Sequence, residues 1–444
     1  MILYCHTITP RFLYIIDFIS SEIPGADIQT TDNIQQFRQF NGPKFNYSTE
    51  RLTPDELWLQ PHHLLFEKGI RQQTIKCFDK NNKKFFFKTE GDFPFDIFAF
   101  TFYLLSRYEE YLPHQKDIYG RYAHENSLAY KENFLNLPLV NLWLKDFKKL
   151  LIQKYPQFNI ESPQGRKVAA RGFKIIPTYD IDIAYSYKCK SWGRSIFGIF
   201  KSITTGQWPM LKERWNVLAG KQKDPFDAYD WIDGLNEKYY LDPYYFFIVA
   251  DKNGKYDKNI SPRHEEMQAL IRRHASRYEI GIHPSWRSGD QSELIKKEIQ
   301  TLEKISNKKI NSSRQHYIRF ELPNTFRQLI DAGIKSDFSM GYGSINGFRA
   351  SVASSFFWYD LEKEALTDLS LYPFCYMDAN SFFEQKLTPH EALEELRNYS
   401  SIIKSVDGLM ITIWHNTFLG TDKMFAGWRE VFESWIREVR GRET

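Results

Sequence analysis

The last two-thirds of the chain alternate between strand-like and helix-like spacing of hydrophobic residues. Apolar runs typical of buried strands begin at Ile175 and recur at residues 244–250 and 279–283. Between and after them, residues 231–238 and 292–305 carry the three-to-four-residue spacing of helices that bury one face. This alternation predicts an α/β fold in which helices surround a parallel sheet, and we expect the sheet to form a distorted (β/α) barrel.

The first third of the chain has a different pattern. Thr9 followed by Pro10 is a typical helix start, because threonine caps the first amides and proline fits the first turn. Residues 93–111 are apolar nearly all round, which predicts a buried helix. Short strands and polar turns fill most of the remainder. We therefore expect a smaller α/β or α+β domain, whose role the sequence does not indicate.

A polar segment at residues 161–167 interrupts the hydrophobic pattern and predicts a boundary between two domains, at 1–165 and 166–444. The second domain contains a basic helical insertion at about residues 188–225. Between Lys188 and Lys223 there are eight Lys or Arg residues, one acidic residue and three tryptophans. Such a helix can lie on an anionic membrane surface, but a helical lid with a solvated basic face gives the same pattern, and we favour the lid.

Composition excludes several classes of protein. A net charge of +4 over 444 residues is too small and too evenly mixed to indicate a nucleic-acid partner. The four cysteines are widely spaced with no Cys-x-x-Cys motif, which favours a reducing, cytoplasmic environment. Residues 1–20 lack the basic start of a signal peptide, and no apolar run is long enough to span a bilayer.

Two carboxylates, Asp180 and Asp182, follow the strand that begins near Ile175. Side chains two residues apart on a strand lie on one face, so both carboxylates can converge on one point. The carboxyl ends of parallel strands are where α/β enzymes place their chemistry. The alternative is that one carboxylate caps the next helix while the other is a solvated loop residue.

Four further segments carry polar side chains where a strand or turn should end. His283 and His415 each end an apolar run, Arg314 and His316 lie two residues apart, and Arg349 follows an Asn-Gly turn. Each residue alone is more often structural. Together they supply imidazole and guanidinium groups from successive elements of one domain, which favours a shared site.

These motifs resemble the polysaccharide deacetylase (NodB-homology) superfamily of metal-dependent carbohydrate esterases. The similarity covers about residues 167–428, through the segments 178–182, 279–283, 314–317 and 411–415. It implies that Asp180 is the catalytic base, Asp182 a metal ligand and His415 the general acid. The preceding residues 1–160 resemble a domain attached to an intracellular-looking branch of these proteins.

One residue departs from the family pattern. The second motif of the family has two ligand histidines one helical turn apart, and Arg287 stands where the second should be. We expect His316 to replace it, which gives a ligand set of Asp182, His283 and His316. Nitrogen and oxygen ligands of this kind suit zinc, with cobalt, nickel or another first-row metal as alternatives.

The resemblance also implies roles for the surrounding residues. Arg314 or Arg349 would orient Asp180, and the backbone N–H of Tyr317 would stabilise the oxyanion. Trp286 and Trp414 are candidates for stacking on a sugar ring.

The function that follows is a metal-dependent N-deacetylase acting on an amino sugar of a glycan or of a lipid- or nucleotide-linked precursor. A cytoplasmic location favours the precursor, and a peripheral contact of residues 188–223 with the inner membrane surface would bring the enzyme to it. Two alternatives remain. One is a hydrolase of a non-sugar amide, and the other is a degenerate deacetylase fold retained as a binding protein, which the missing second histidine favours.

Overall fold

The fold is that of a computed structural model, which describes residues 1–23, 28–156, 172–188 and 208–441. Side chains are described throughout these ranges except at positions 208–210. The predicted boundary at residues 161–167 and half of the basic insertion, residues 189–207, fall outside the described residues.

The larger sheet has nine strands, and its order follows the chain over most of its width. In spatial order the strands are β12 (Phe356–Asp360), β13 (Ala365–Leu371), β11 (Ser336–Asp337), β10 (Ser312–Ser313), β9 (Glu279–Ile282), β8 (Tyr244–Phe247), β7 (Lys174–Ile181), β15 (Leu409–His415) and β14 (Tyr376–Met377). All neighbours are parallel except β12 and β13. Their carboxyl ends therefore meet along one edge of the sheet.

Helices connect and cover these strands, as the alternating pattern predicted. They are α6 (Trp208–Leu218), α7 (Tyr229–Lys238), α8 (Glu265–Ala275), α9 (Ser292–Ser306), α10 (Asn324–Asp331), α11 (Pro389–Ser405) and α12 (Trp428–Arg440). The central strands are buried on both faces, which is why β7 and β15 are almost continuously apolar. Along this pair, Asp180 is the register partner of His415.

Closure of the sheet into a barrel is not seen in the described residues. The sheet runs from β12 at one edge to β14 at the other, and no described pairing joins these two strands. The physical reason lies at the first edge, where β12 is antiparallel to β13 and so ends the parallel series. The observed architecture is an open α/β sheet and not the expected distorted barrel.

The N-terminal part is a smaller α/β unit with a four-stranded parallel sheet of order β2-β1-β3-β4 and a separate hairpin. Its strands are β1 (Ile2–Cys5), β2 (Gln29–Thr31), β3 (Lys44–Tyr47), β4 (Leu57–Leu59), β5 (Phe78–Lys80) and β6 (Lys83–Phe85). Its helices are α1 (Pro10–Glu22), α2 (Ile34–Gln39), α3 (Ile97–Leu105), α4 (Leu128–Lys131) and α5 (Leu139–Lys154). Every residue of α3 is buried, and the Thr9 hydroxyl caps α1 through the amide of Phe12, both as predicted.

The N-terminal part packs against the larger sheet through one continuous hydrophobic core and through buried ion pairs. Glu110 receives two hydrogen bonds from Arg349, at 2.8 and 2.5 Å, and one from Arg107 at 2.7 Å. Both Glu110 and Arg349 are nearly inaccessible to solvent. Removing one partner of such a pair strands the other charge in the interior, at a cost of about 3–5 kcal/mol.

Among the described residues, no helix has the length and apolar character needed to cross a membrane.

Candidate active site

A cavity of about 540 Å³ opens at the carboxyl ends of β7, β9, β10 and β15. Six of the predicted site residues line it together: Asp180, Asp182, His283, His316, Tyr317 and His415. Each reaches the cavity because its strand ends there, which is the geometric basis of the sequence prediction.

Asp182, His283 and His316 form a compact group in which one ligand atom from each lies within 4.8 Å of the others. His283 Nε2 is 3.2 Å from Asp182 Oδ1, and His316 Nε2 is 3.5 Å from Asp182 Oδ2. His283 Nδ1 lies at hydrogen-bonding distance from the carbonyl oxygen of Arg314, and His316 Nδ1 is 3.0 Å from Asp257 Oδ1. A proton on each Nδ1 leaves both Nε2 atoms able to bind a metal ion.

The chemistry of this group fits a divalent cation. Asp182 Oδ1 is buried without a well-aligned hydrogen-bond donor, so the carboxylate has an unfilled acceptor facing the two rings. Burial would raise the pKa of Asp182, but His316 and His283 outweigh it and hold the pKa well below its usual range. Burial lowers the pKa of His316, but the Asp182 carboxylate outweighs burial and raises this pKa to about 9. The carboxylate is therefore ionised and available as a ligand.

Asp180 lies beside this group and is paired with Arg314. The Arg314 guanidinium donates from Nη1 to Asp180 Oδ1 at 3.1 Å and to the Thr178 hydroxyl at 2.6 Å. Its Nε donates to the carbonyl of Phe338, and the side chain is fully buried. Asp180 Oδ2 instead faces His283 Nε2, at 3.8 Å. Arg314 thus fixes one carboxylate oxygen and leaves the other directed toward the candidate metal ligands.

His415 approaches the same group from β15. Its Nδ1 lies 2.6 Å from Asp378 Oδ1, its backbone N–H donates to Asp378 Oδ2, and its Nε2 is 3.6 Å from Asp182 Oδ2. Burial lowers the pKa of His415, but the Asp378 carboxylate more than compensates and raises it to about 10. The ring is therefore held with Nε2 toward the cavity and is protonated at neutral pH.

The expectation that Arg349 orients Asp180 is wrong. The Arg349 guanidinium donates from Nε and Nη2 to Glu110 and from Nη1 to the carbonyl of Gly341, so it holds the N-terminal part in place. Arg287 is exposed and is not among the residues that line the cavity.

The two tryptophans do not line the cavity either. Trp414 is fully buried and donates to the Thr412 hydroxyl, because alternation along β15 directs it away from the face that carries His415. Trp286 is half-buried between the ring of Tyr256, at 3.9 Å between centroids, and the guanidinium of Arg319. Tyr317, in contrast, does line the cavity.

Sequence reasoning missed much of the cavity lining and the groups that orient the histidines, including the four residues that follow. Asp257 orients His316, and Asp378 orients His415. Tyr119 and Arg121, from the N-terminal part, line the cavity. Asp378 directly follows β14, so a carboxylate at a strand end was a usable signal. Asp257 lies in a long loop, and Tyr119 and Arg121 lie in a hairpin far from any motif, so no local pattern marks them.

Comparisons with known proteins add little beyond this geometry. Residues 1–156 match a family described as "Family of unknown function (DUF7033)". A search of curated proteins finds no match. Among solved structures, the chain is similar to a "probable Polysaccharide deacetylase" from Pseudomonas aeruginosa PAO1 (10% identity, 64% of this chain and 91% of that chain, TM-score 0.38). It is also similar to a polysaccharide deacetylase from Bacillus cereus (10%, 60% and 87%, TM-score 0.30).

A third similar structure is a GH57 branching enzyme from Thermococcus kodakaraensis (10% identity, 62% of this chain and 69% of that chain, TM-score 0.33). Identities and TM-scores of this size carry no functional conclusion, so we base the function on the geometry of the site.

Proposed function

We propose that this protein is a metal-dependent hydrolase of amide bonds that removes an N-acetyl group from an amino sugar of a glycan or glycan precursor. One observation carries the proposal. The Asp182 carboxylate and the Nε2 atoms of His283 and His316 converge on one point. Two pairs lie beside this group: the Asp180 carboxylate with Arg314, and the His415 ring with the Asp378 carboxylate.

Asp182, His283 and His316 would hold the metal ion. Their nitrogen and oxygen donors suit zinc, with cobalt, nickel or another first-row ion as alternatives. Such an ion, when bound, supplies Lewis acidity to the acyl carbonyl and to the attacking water. Arg287, which occupies the position of the missing family histidine, is exposed and takes no part.

Asp180 is the proposed general base. Arg314 occupies Oδ1, so Oδ2 is the oxygen available to take a proton from water next to the metal ligands. His415 is the proposed general acid. Asp378 keeps its ring protonated and oriented, so Nε2 can deliver a proton to the departing amine. The backbone N–H of Tyr317 remains our candidate for the oxyanion.

The aromatic part of the cavity lining supports a carbohydrate substrate. It carries the rings of Phe226, Phe383, Phe418 and Phe425, whose apolar faces suit the C–H faces of a sugar. Glu384 and Asp422 also line the cavity and can accept hydrogen bonds from sugar hydroxyls. In this proposal the acyl group is acetyl, and a precursor substrate would carry the amino sugar on a lipid or a nucleotide.

The first test is metal content per chain, measured by mass spectrometry of purified protein. We expect near-stoichiometric zinc or another first-row metal in the wild type, lost in Asp182→Ala and strongly reduced in His316→Ala. Arg287→Ala is the matched control, because an exposed side chain outside the cavity should leave metal content unchanged. A wild type that contains no metal and takes up none would refute the hydrolase and favour a binding protein built on a degenerate site.

The second test is acetate release from N-acetylated chitin oligosaccharides. Asp180→Asn and His415→Asn should retain the metal but lose roughly 10²–10⁴-fold in kcat, the usual contribution of a general base or acid. A metal-loaded wild type that releases acetate from non-sugar amides only would direct the assignment to the alternative hydrolase.

Membrane contact through residues 188–223 would serve a lipid-linked substrate. Residues 189–207 lie outside the described part, but helix α6 presents Trp215 and Leu218 to solvent, at 70% and 52% exposure. Sedimentation with anionic liposomes should carry the wild type down and leave Trp215→Ser more in solution. Equal recovery of both proteins in the supernatant would remove the membrane contact from the proposal.

A further inference from the structure

A tight hairpin of the N-terminal part reaches the cavity. Lys116 pairs with Tyr122 across the hairpin, and Gly120 takes the positive φ of 76° that its turn requires. The Asp117 carboxylate accepts from the backbone N–H groups of Tyr119 and Arg121, both at 2.9 Å. The turn is therefore fixed by its own hydrogen bonds, and it presents two side chains to the cavity.

The first of these side chains, Arg121, crosses to the larger domain. Its Nε donates to Asp117 at 2.6 Å and its Nη1 to the carbonyl oxygen of Tyr317 at 2.8 Å. Only 5% of Arg121 is exposed. The second side chain, Tyr119, packs under the guanidinium and beside the Tyr317 ring, at 5.2 Å between centroids.

The larger domain leaves room for this contact at one glycine. A Cβ on Gly343 would lie 2.0 Å from Arg121 Nη1 and 2.8 Å from the Tyr317 carbonyl oxygen. Any residue with a Cβ at position 343 would displace the Arg121 guanidinium. Gly343 therefore leaves room for the hydrogen bond from Arg121 to the Tyr317 carbonyl oxygen.

The Tyr317 peptide, which accepts the hydrogen bond from Arg121, lies in an unfavourable backbone conformation. Tyr317 and Ile318 have φ values of 59° and 54°, a left-handed conformation that costs free energy for residues with a side chain. Such a conformation persists only where its surroundings hold it, and the Arg121 donor is one of the groups that do. His316, the residue directly before, is one of the three candidate metal ligands.

We propose that the hairpin of residues 116–122 is part of the active site, and that Arg121 is a positioning residue that holds the Tyr317 peptide and thereby His316 in place. The N-terminal part then completes the catalytic site, a role that its sequence did not indicate. The inference rests on the proposed function in one respect, that His316 is a metal ligand.

The test measures zinc affinity of the full chain by competition with a chromogenic chelator, together with the visible spectrum of the cobalt-substituted protein. Arg121→Ala should weaken zinc binding roughly 10-fold, the lower end for loss of a group that orients a ligand. Its cobalt spectrum should also change. Arg121→Lys should recover most of both, because lysine can still donate to the carbonyl. Lys116→Ala is the control, since this residue of the same hairpin makes an exposed ion pair with Glu321.

Gly343→Ala provides the same test from the opposite side and serves if Arg121→Ala fails to fold. Zinc affinity and a cobalt spectrum identical to the wild type, in a folded Arg121→Ala or Gly343→Ala protein, would overturn the inference. If the wild type binds neither metal, the proposed function fails, and a crystal structure of Arg121→Ala then decides the inference alone. Tyr317 should leave the left-handed region, and an unchanged Tyr317 backbone would overturn the proposal.

Discussion

The His415–Asp378 pair makes the most direct prediction, because it can be tested in the metal-free protein without a substrate. Burial alone would lower the pKa of His415, and the Asp378 carboxylate raises it to about 10 from an ordinary 6.5. A difference of about 3.5 units corresponds to roughly 5 kcal/mol of preference for the charged ring. Asp378→Asn keeps the shape of the side chain and removes its charge, so we expect the pKa of His415 to fall by more than about one unit, while Asp182 and Asp180 still favour the charged ring.

The assay is an NMR titration of protein labelled with ¹³C at the histidine ring, with His415→Asn to assign the signal. Asp422→Asn is the control, because it changes another carboxylate of the cavity lining, one that accepts a hydrogen bond from the backbone N–H of Met424. A wild-type His415 that titrates between pH 6 and 7, or a shift of less than about one unit in Asp378→Asn, would refute our account of the pair.

The same shift determines how the stability of the fold depends on pH. Since the folded-state pKa of His415 is raised, its contribution is fully present below about pH 6.5 and is lost as the pH rises through about 10. Urea unfolding should therefore show a fall in the free energy of unfolding of the wild type between pH 7 and pH 10. That fall should be smaller in Asp378→Asn, in which the contribution of His415 is reduced and that of His316, whose pKa is about 9, remains.

Further outcomes follow from the ion pairs and the metal ligands. Zinc uptake at pH 7 should release about one proton, because the pKa of His316 is about 9 without metal, and calorimetry in buffers of different ionisation enthalpy measures it. Arg349→Met and Glu110→Gln should each cost about 3–5 kcal/mol in urea unfolding; a free energy of unfolding equal to that of the wild type would contradict this account of the pair. Chelation should lower the Tm, since a ligand at 100 times its Kd stabilises the fold by about 2.7 kcal/mol. Trp414→Phe should destabilise the protein without changing KM for any substrate.

The sequence was informative wherever a residue's role depends on its own strand. Asp180, His283 and His415 meet at one edge because each lies at the end of a parallel strand, and that placement is encoded locally. Arg314 was placed correctly for the same reason. Strand alternation could also have excluded Trp414, since neighbours on a strand face opposite sides of the sheet.

The sequence was uninformative where a role depends on a partner from a distant segment. Arg349 stands in a motif-like position, yet Glu110, 239 residues earlier in the chain, binds its guanidinium. The open edge at β12 depends on a hairpin register, and the hairpin that brings Arg121 to Tyr317 depends on how the two parts dock. The local spacing of residues in the sequence does not encode these tertiary contacts.

The pairing of β7 with β15 has a consequence for how the protein is made. The Thr178 hydroxyl donates to the carbonyl of Thr412, 234 residues further along the chain. On the ribosome, β7 therefore emerges long before its central partner and presents an unpaired strand edge of the kind that recruits other chains. A prematurely terminated product has Asp180 without His415, and we expect it to aggregate without ever acquiring partial activity.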